Sequence, residues 1–503
     1  MAVQVTRDVI EASWQVKLNV RVCVSDMNPG NQDMWKHVGI SSKRDHITNF
    51  IEHPCVPDQR LYFMADTPHL LKNVRNCLLG QDILLPQSIV DSASLPSQKV
   101  SIHHVGTLVQ LQADRELKFA PQLKQCHVEP GKYQKMRVNM AAAVLSHTTA
   151  SALRFCASVD LLPRDVLTTA WFLDSVNRWF DSMNSRCIKA SLFRSSSEKL
   201  DSLKHMVQLM KSVHFTGRDS WKPIQSGILL STTTVLDLYN ELVETGNYSF
   251  LMTGRLTQDC VENLFSSIRG KGDAHPSPVL FRHNLRLISL SQYMSIVPAS
   301  SYDTGDGTYF LDFLKSQPRR ASEPPAVCDP EDCCFIQQHA FSKWQAMNNV
   351  DANVLYLLAG WSTHREKQKL SSCTECLSAM CGDARDAPPE VALTAEKSYS
   401  GLTYPSSAIY AAVQVAEELF RCHQSSLLTM ANVENYLRQE FDRHFDSSNF
   451  PQCHVAVRSV VSRFFRLRLH IYSKHLTETF SAQQKNEGIQ HGSRSAYCRT
   501  KIQ

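Results

Sequence analysis

Asp259 and Glu262 lie three positions apart in the segment MTGRLTQDCVENLFSSIRGKGDAHPSPVLFRHNLR. The pattern predicts an amphipathic helix over 256–268, and spacings of three and four bring Leu256, Asp259, Glu262 and Asn263 onto one side of it. Two such carboxylates converging with a distant strand-end acid make a site for a divalent metal, because hard oxygen ligands hold Mg²⁺. Phosphoryl transfer with two metal ions uses a cluster of this kind: one ion activates the attacking hydroxyl and the other stabilises the leaving oxygen. A solvated acidic helix face explains the same pair. Two strand-end acids are candidates for the distant partner. Asp26 follows an alternating Val20, Val22, Val24 run in NVRVCVSDMNPGN, and Asp66 follows LYFMA in FMADTPHLLKNVRN. Open α/β sheets gather ligands at such carboxyl ends. Each residue also has a plain structural reading, Asp26 as an Asx-turn and Asp66 as a helix cap.

Two further groups of residues could do chemistry. Cys373 and Cys376 have zinc-knuckle spacing, with Cys381 nearby and His364 upstream, but no second Cys or His pair follows at standard spacing. The stretch RSVVSRFFRLRLHIYSKH interleaves Arg463, Arg466, Arg468 and Lys474 with Phe464, Phe465 and Tyr472. That mixture suits a nucleic-acid backbone. It suits equally an amphipathic helix with a basic face and an aromatic core face.

The elements that must position these residues are legible in outline. Residues 1–19 are helix-patterned, a strand ends at Asp26, and a turn at Asn28, Pro29 and Gly30 leads into a helix stopped at Gly39. A second strand, 61–64, precedes Asp66, and His69 to Leu79 reads as a helix closed by Gly80. Alternating strand and helix predicts an α/β unit. From about 100 to 245 helices dominate, at 133–156, 163–183 and 197–211. Residues 315–332 combine Pro, Ser and charge as a linker does. Residues 335–480 read as mostly helical, and the polar end of the chain as frayed.

Composition bounds the rest. A chain of 503 residues, 43% hydrophobic and 20% charged, can build two or three packed cores and is not a disordered protein. A formal net charge of +5 permits nucleic-acid contact without arguing for it. No run of about 18 apolar residues spans a bilayer, and MAVQVTRDVIEASW lacks the plan of a secretory signal. Sixteen cysteines without disulfide-scaffold spacing predict a reducing compartment, cytosol or nucleus.

The string RLTQDCVENLFSSIR resembles the C-terminal catalytic helix of P-element-type DNA transposases, the THAP-associated family, in which a Gln-Asp-x-x-Glu stretch on an RNase H-like fold bears the final acid. VSDMNPGNQDMWKHVGI and ADTPHLLKNVRNCLL resemble the N-terminal half of that fold, in the same order. APQLKQCHVEPGKYQKMRVNMAAAVLS and WFLDSVNRWFDSMNSR resemble its helical GTP-binding insertion. VLYLLAGW, the Cys373 and Cys376 pair, and SGLTYPSSAIYAAVQVAEELF resemble its C-terminal region.

The resemblance implies an α/β chain: an RNase H-like fold (residues 1–95 and 246–300) interrupted by an all-α GTP-binding-type insertion domain (96–245). A linker (315–332), a mostly helical C-terminal region (333–480) and a disordered tail (481–503) follow. It implies Asp26 as the second catalytic acid, Glu262 as the third, Asp259 as its helix neighbour, and Asp26 with Glu262 as ligands to Mg²⁺. Asp66 and His69 match a motif read as structural. Val138, Ser146, Phe180 and Asp181 fall where the GTP pocket is built, although Val138 and Phe180 read equally as helix-core residues. Gln122 stands where relatives carry a lysine, with Lys124 as the nearest substitute. The implied activity is DNA transposition and integration in the nucleus, with DNA ends and target as partners, no membrane, and a homo-oligomer possible. No THAP domain and no strand bearing the first catalytic aspartate precede Met1, so the fold is expected to be incomplete and catalysis impaired. The alternative is a transposon-derived, non-enzymatic nuclear protein that binds DNA or protein.

Overall fold

In the computed structural model the described residues are 2–217, 221–271, 275–294 and 349–491, apart from 371, 400, 428, 429, 431, 449 and 452. The linker expected at 315–332 lies outside them. The helices are α1 Ala2–Gln15, α2 Pro29–His37, α3 Thr67–Gly80, α4 Gln87–Ser92, α5 Ile102–Leu111, α6 Gln125–Val128, α7 Val138–Val144, α8 His147–Ser158, α9 Val166–Met183 and α10 Ser197–Ser212. They continue with α11 Pro223–Tyr239, α12 Asp259–Arg269, α13 Pro278–Met294, α14 Asn349–Lys367, α15 Thr374–Met380, α16 Ala392–Lys397, α17 Ser407–His423, α18 Val433–His444 and α19 Ala456–His491. The strands are β1 Val22–Ser25, β2 Ser41–Lys43, β3 His46–Thr48, β4 Phe50–Glu52, β5 Arg60–Ala65, β6 Ile83–Leu84, β7 Lys99–Val100, β8 Leu192–Phe193, β9 His214–Phe215 and β10 Phe250–Leu251.

The chain divides into two compact units. The first draws on Met1–Leu70, Phe180–Lys211 and Trp221–Val327, the second on Leu71–Trp179, Ser212–Ser220 and Cys328–Gln503. In the first unit β5 is the middle strand of a three-stranded sheet of order β1-β5-β4, parallel to β1 and antiparallel to β4. Its sequence, RLYFMA, is buried at every position after Arg60, as a strand covered on both faces requires. Helix α11 lies against it, and two of its hydroxyls bond to the strand backbone: Ser231 bridges the N–H and C=O of Ala65 at 2.9 Å each, and Thr234 donates to the Phe63 carbonyl. The approach of α11 to its neighbours depends on Gly227, where a Cβ would meet Leu70 Cδ2 at 2.5 Å.

The second unit carries a small sheet of order β7-β6-β9, the helices α5 to α8 and the C-terminal helices. There α14, α15, α17, α18 and α19 bury Leu355, Tyr356, Met380, Val413, Phe420, Phe441, Val460 and Phe464 in one core.

Several local expectations are corrected. The helix expected over 133–156 is broken: Leu145 leaves helical geometry and Ser146 starts α8 by accepting from the Thr149 amide at 3.1 Å. Helix α12 begins at Asp259, preceded by a 3₁₀ turn at Thr253–Arg255, so Leu256 is not on its face. The short strands β2, β3, β4, β6, β7, β8, β9 and β10 and the helix α11 went unread, because two- and three-residue strands carry too little periodicity and α11 is buried on most sides and mixes Ser and Thr with its apolar residues. Helix α19 runs on to His491, into the stretch read as a frayed tail.

Candidate active site

The parallel register pairs Ser25 with Ala65, and the Asp66 amide donates to the Ser25 carbonyl at 2.9 Å. Asp26 and Asp66 are therefore neighbours at the carboxyl ends of adjacent strands. Asp26 accepts at Oδ1 from the Asn28 amide (3.1 Å), Asn28 Nδ2 (2.5 Å) and Asn31 Nδ2 (2.7 Å). This is the Asx-turn geometry, and it leaves the carboxylate half-buried at the start of the loop that Asn28 then turns into α2 by accepting from the Asn31 amide.

Asp66 is buried and does two jobs. One oxygen accepts from the His69 amide at 3.1 Å in the first turn of α3, and the other accepts from the Gln258 amide at 2.8 Å, the residue before α12. A single carboxylate thus satisfies donors at two helix N-termini, where the peptide dipoles also favour negative charge. This joins residues 192 positions apart and sets where α12 begins relative to the strand ends.

His69 links the two acids. Its Nδ1 is 3.4 Å from Asp66 Oδ2 and its Nε2 is 3.5 Å from Glu262 Oε1. Glu262, one turn into α12, keeps its side chain 61% exposed. Asp259 differs, since it pairs with Arg186. Within this unit, then, Asp26, Asp66, His69 and Glu262 form one run along the strand ends, and Asp259 is held beside it by a cation.

This donor set suits a hard cation in kind: carboxylate oxygens with one imidazole, and three buried polar atoms near the strand ends, Ser25 Oγ, Thr67 Oγ1 and His69 Nδ1, that have no hydrogen-bond partner among the described residues. The acids do not close into a compact cage. Among the described residues, the group of three or more potential ligands with all ligand atoms within 4.8 Å of one another is Cys373, Cys376, Cys453 and His454, in the second unit.

The residues expected to form the nucleotide pocket fall in both units. Val138 opens α7 and Ser146 caps α8, in the second unit; Phe180 and Asp181 lie near the end of α9, in the first. Ser146 already accepts from the Thr149 amide and donates to the Ala143 carbonyl at 3.0 Å. Phe180 is half-buried and Asp181 is exposed. Lys124 does not stand free for a phosphate: it pairs with Glu478 Oε1 at 2.7 Å, and Lys118 pairs with Glu478 Oε2 at 3.2 Å.

The basic and aromatic stretch is the start of α19; three of its cations pair internally, and Lys474 is exposed. Arg463 pairs with Glu366, Arg466 with Glu434, and the buried Arg468 with Glu417 and Glu116, while Phe464 and Phe465 enter the core. The helix has the aromatic core face that the amphipathic reading expects, with Arg466 still 65% exposed.

A buried network in the second unit went unread. Asp174 accepts from His147 Nδ1 at 2.7 Å and from the Tyr399 hydroxyl at 2.5 Å, with Arg178 and Arg154 beside it. Burial raises its pKa, but the His147 and Tyr399 hydrogen bonds and the two guanidinium charges outweigh that and hold it at about 2. Ser151 Oγ lies 3.2 Å from His147 Nε2, yet Ser151 is fully buried and donates to the Glu396 carbonyl at 2.8 Å. The Ser-His-Asp array is therefore structural, since no substrate reaches the hydroxyl and its proton is already placed.

Comparison with known proteins finds similarity over two stretches of the chain. Residues 68–196 match the TNP-like GTP-binding insertion domain, and residues 346–474 match the C-terminal domain of DNA transposase THAP9. Transposable element P transposase of Drosophila melanogaster is 30% identical over 274 residues, covering 52% of this chain and 34% of that protein. DNA transposase THAP9 of Homo sapiens is 23% identical over 471 residues, 87% of this chain and 50% of that protein. The chain thus spans between a third and a half of the length of these relatives. The solved Drosophila P element transposase strand transfer complex superposes with a TM-score of 0.52 at 26% identity, over 58% of this chain and 64% of that one. The chain is a mixed α/β protein similar over these stretches to the P element-type transposases.

Proposed function

We propose that this chain is the body of a nuclear P element-type transposase, with an RNase H-like catalytic unit whose carboxylates Asp26 and Glu262 hold Mg²⁺ for cleavage and transfer of DNA strands. The observation that carries the reading is the alignment of Asp26, Asp66, His69 and Glu262 along the ends of β1 and β5 and the start of α12. Bound there, Mg²⁺ would supply Lewis-acid stabilisation of the charge on reacting phosphate oxygens. Asp26 and Glu262 supply its hard ligands. Asp66 is a positioning residue, since both of its oxygens are committed to backbone amides. His69 sets the rotamer of Glu262, and Arg186 draws Asp259 aside.

Asp26 and Glu262 each supply a carboxylate to the metal, so Mg²⁺-dependent strand cleavage should be lost in Glu262→Ala and in Asp26→Ala. Cleavage that persists in Glu262→Ala would take catalysis away from these residues. Failure of Asp26→Ala and Glu262→Ala to weaken Mn²⁺ binding, read by electron paramagnetic resonance, would remove the metal site.

Guanine nucleotide is the second implied ligand. The match of residues 68–196 to a GTP-binding insertion domain supports it, and an Asp181 carboxylate suits the N1 and N2 hydrogens of guanine but not the unprotonated N1 of adenine. Calorimetry decides: GTP should bind in preference to ATP. Equal affinities, or GTP binding unchanged in Asp181→Ala, would exclude Asp181 as the base reader.

The alternative, a non-enzymatic DNA- or protein-binding protein, draws on one observation: Asp26, Asp259 and Glu262 each already contact a side chain of this unit.

A further inference from the structure

We propose that Cys373, Cys376, Cys453 and His454 bind one structural zinc ion that clips the start of α15 to the start of α19, a site independent of the transposase reading. Cys373 caps α15 and Cys376 lies in its first turn, fully buried in the C-terminal core. Cys453 and His454 arrive from the turn just before α19. Cys453 Sγ is 3.7 Å from Cys373 Sγ and 3.3 Å from Cys376 Sγ, and Cys376 Sγ is 3.6 Å from His454 Nδ1.

These separations discriminate between two chemistries. A disulfide requires sulfurs about 2.05 Å apart. Four ligands at zinc, with Zn–S near 2.3 Å and Zn–N near 2.0 Å, form a tetrahedron whose S···S edges are about 3.8 Å and S···N edges about 3.5 Å. The measured edges match the tetrahedron in kind, and all four ligand atoms lie within 4.8 Å of one another. Soft thiolates with one imidazole select zinc over the hard cations suited to the first unit. Four protein ligands leave no open position, so the ion is structural.

A second observation is independent of the sulfur distances. Val455, directly after His454, has φ +50° and is 51% exposed. A β-branched residue in the left-handed region is strained and persists only where its surroundings over-determine the backbone. Packing of its own side chain does not do so at that exposure. Ligation of the two residues before it does, because the turn brings consecutive side chains to one ion.

Zinc binding displaces three thiol protons to solvent and leaves Zn(Cys⁻)₃(His) with one net negative charge; no electrons move. Elemental analysis of the full chain, purified under reducing conditions, should find about one zinc per chain. Cys376→Ser and His454→Ala should lose it, while Cys381→Ser, whose residue sits in a bridge to Pro405 outside the cluster, should keep it. Chelation should lower the melting temperature of the wild-type chain, and added zinc should restore it. Where a variant fails to fold, cobalt added to the apo wild-type chain keeps the test open, since a tetrahedral three-thiolate site gives intense ligand-field and thiolate charge-transfer absorption. A metal-free chain whose melting temperature is indifferent to chelator and zinc, a cobalt spectrum of an octahedral ion, or a Cys376–Cys453 disulfide found by peptide mapping would overturn the proposal.

Discussion

Two sets of carboxylates, one in each unit, are used in opposite ways. In the second, Glu417 is fully buried and answered by Arg468 at 2.7 Å and Arg421 at 2.7 Å, and the largely buried Asp174 is answered by a histidine, a tyrosine and two arginines. In the first, Glu262 stands 61% exposed against one imidazole, and Asp26 is half-buried against amides. A buried acid must be saturated with partners, because desolvating an unpaired charge is prohibitive. An acid intended for a ligand must keep oxygens accessible. The difference separates architecture from candidate chemistry more clearly than residue type does.

The strongest way to break this comparison is Arg468→Met. It leaves Glu417 buried with Arg421 as its remaining cation and removes the guanidinium stacked over Phe420. Loss of about 3 to 5 kcal/mol is expected from removing one partner of a buried ion pair, read by urea denaturation. A loss below about 1 kcal/mol, the range of exposed pairs, would show that the buried network does not hold the C-terminal core together.

Asp174 gives a smaller effect with a defined pH window. Its folded pKa of about 2 lies below the usual aspartate value near 3.9, so its contribution is fully present above about pH 4 and is lost as pH falls through about 2. That contribution is roughly 2 to 3 kcal/mol. Wild-type stability measured from pH 5 to 2 should fall more steeply than that of Asp174→Asn; parallel curves would remove the assignment.

Glu262→Gln should change stability least, within about 0.5 kcal/mol, because the side chain is exposed and bonded to little. The same substitution should weaken Mn²⁺ binding by at least the roughly 10-fold that losing even an outer-shell partner costs. A large stability loss with unchanged metal affinity would reverse the comparison and class Glu262 with Glu417.

What the sequence determined by itself is local and repeated. Alternation ending at Asp26 and an apolar run ending at Asp66 marked both strand ends, the three-residue spacing of Asp259 and Glu262 put them on one helix, and Gly39, at φ +88°, ended α2 as read. Such features depend on contacts within a few positions and on backbone conformations that few residues tolerate. The tertiary structure decided what depends on contacts between remote segments. It joined Gln258 to Asp66 and Glu262 to His69, divided the expected nucleotide residues between two units, and neutralised Arg463, Arg466 and Arg468 with carboxylates from other helices. It also brought Cys453 and His454 to Cys376 across 77 and 78 positions. No window of sequence contains both halves of such a pair, and a charge or thiol reads the same whether its partner is solvent, a phosphate, a metal or a buried glutamate. Only the packing of helices selects among them, because it alone sets which charges lose their water and must find one another.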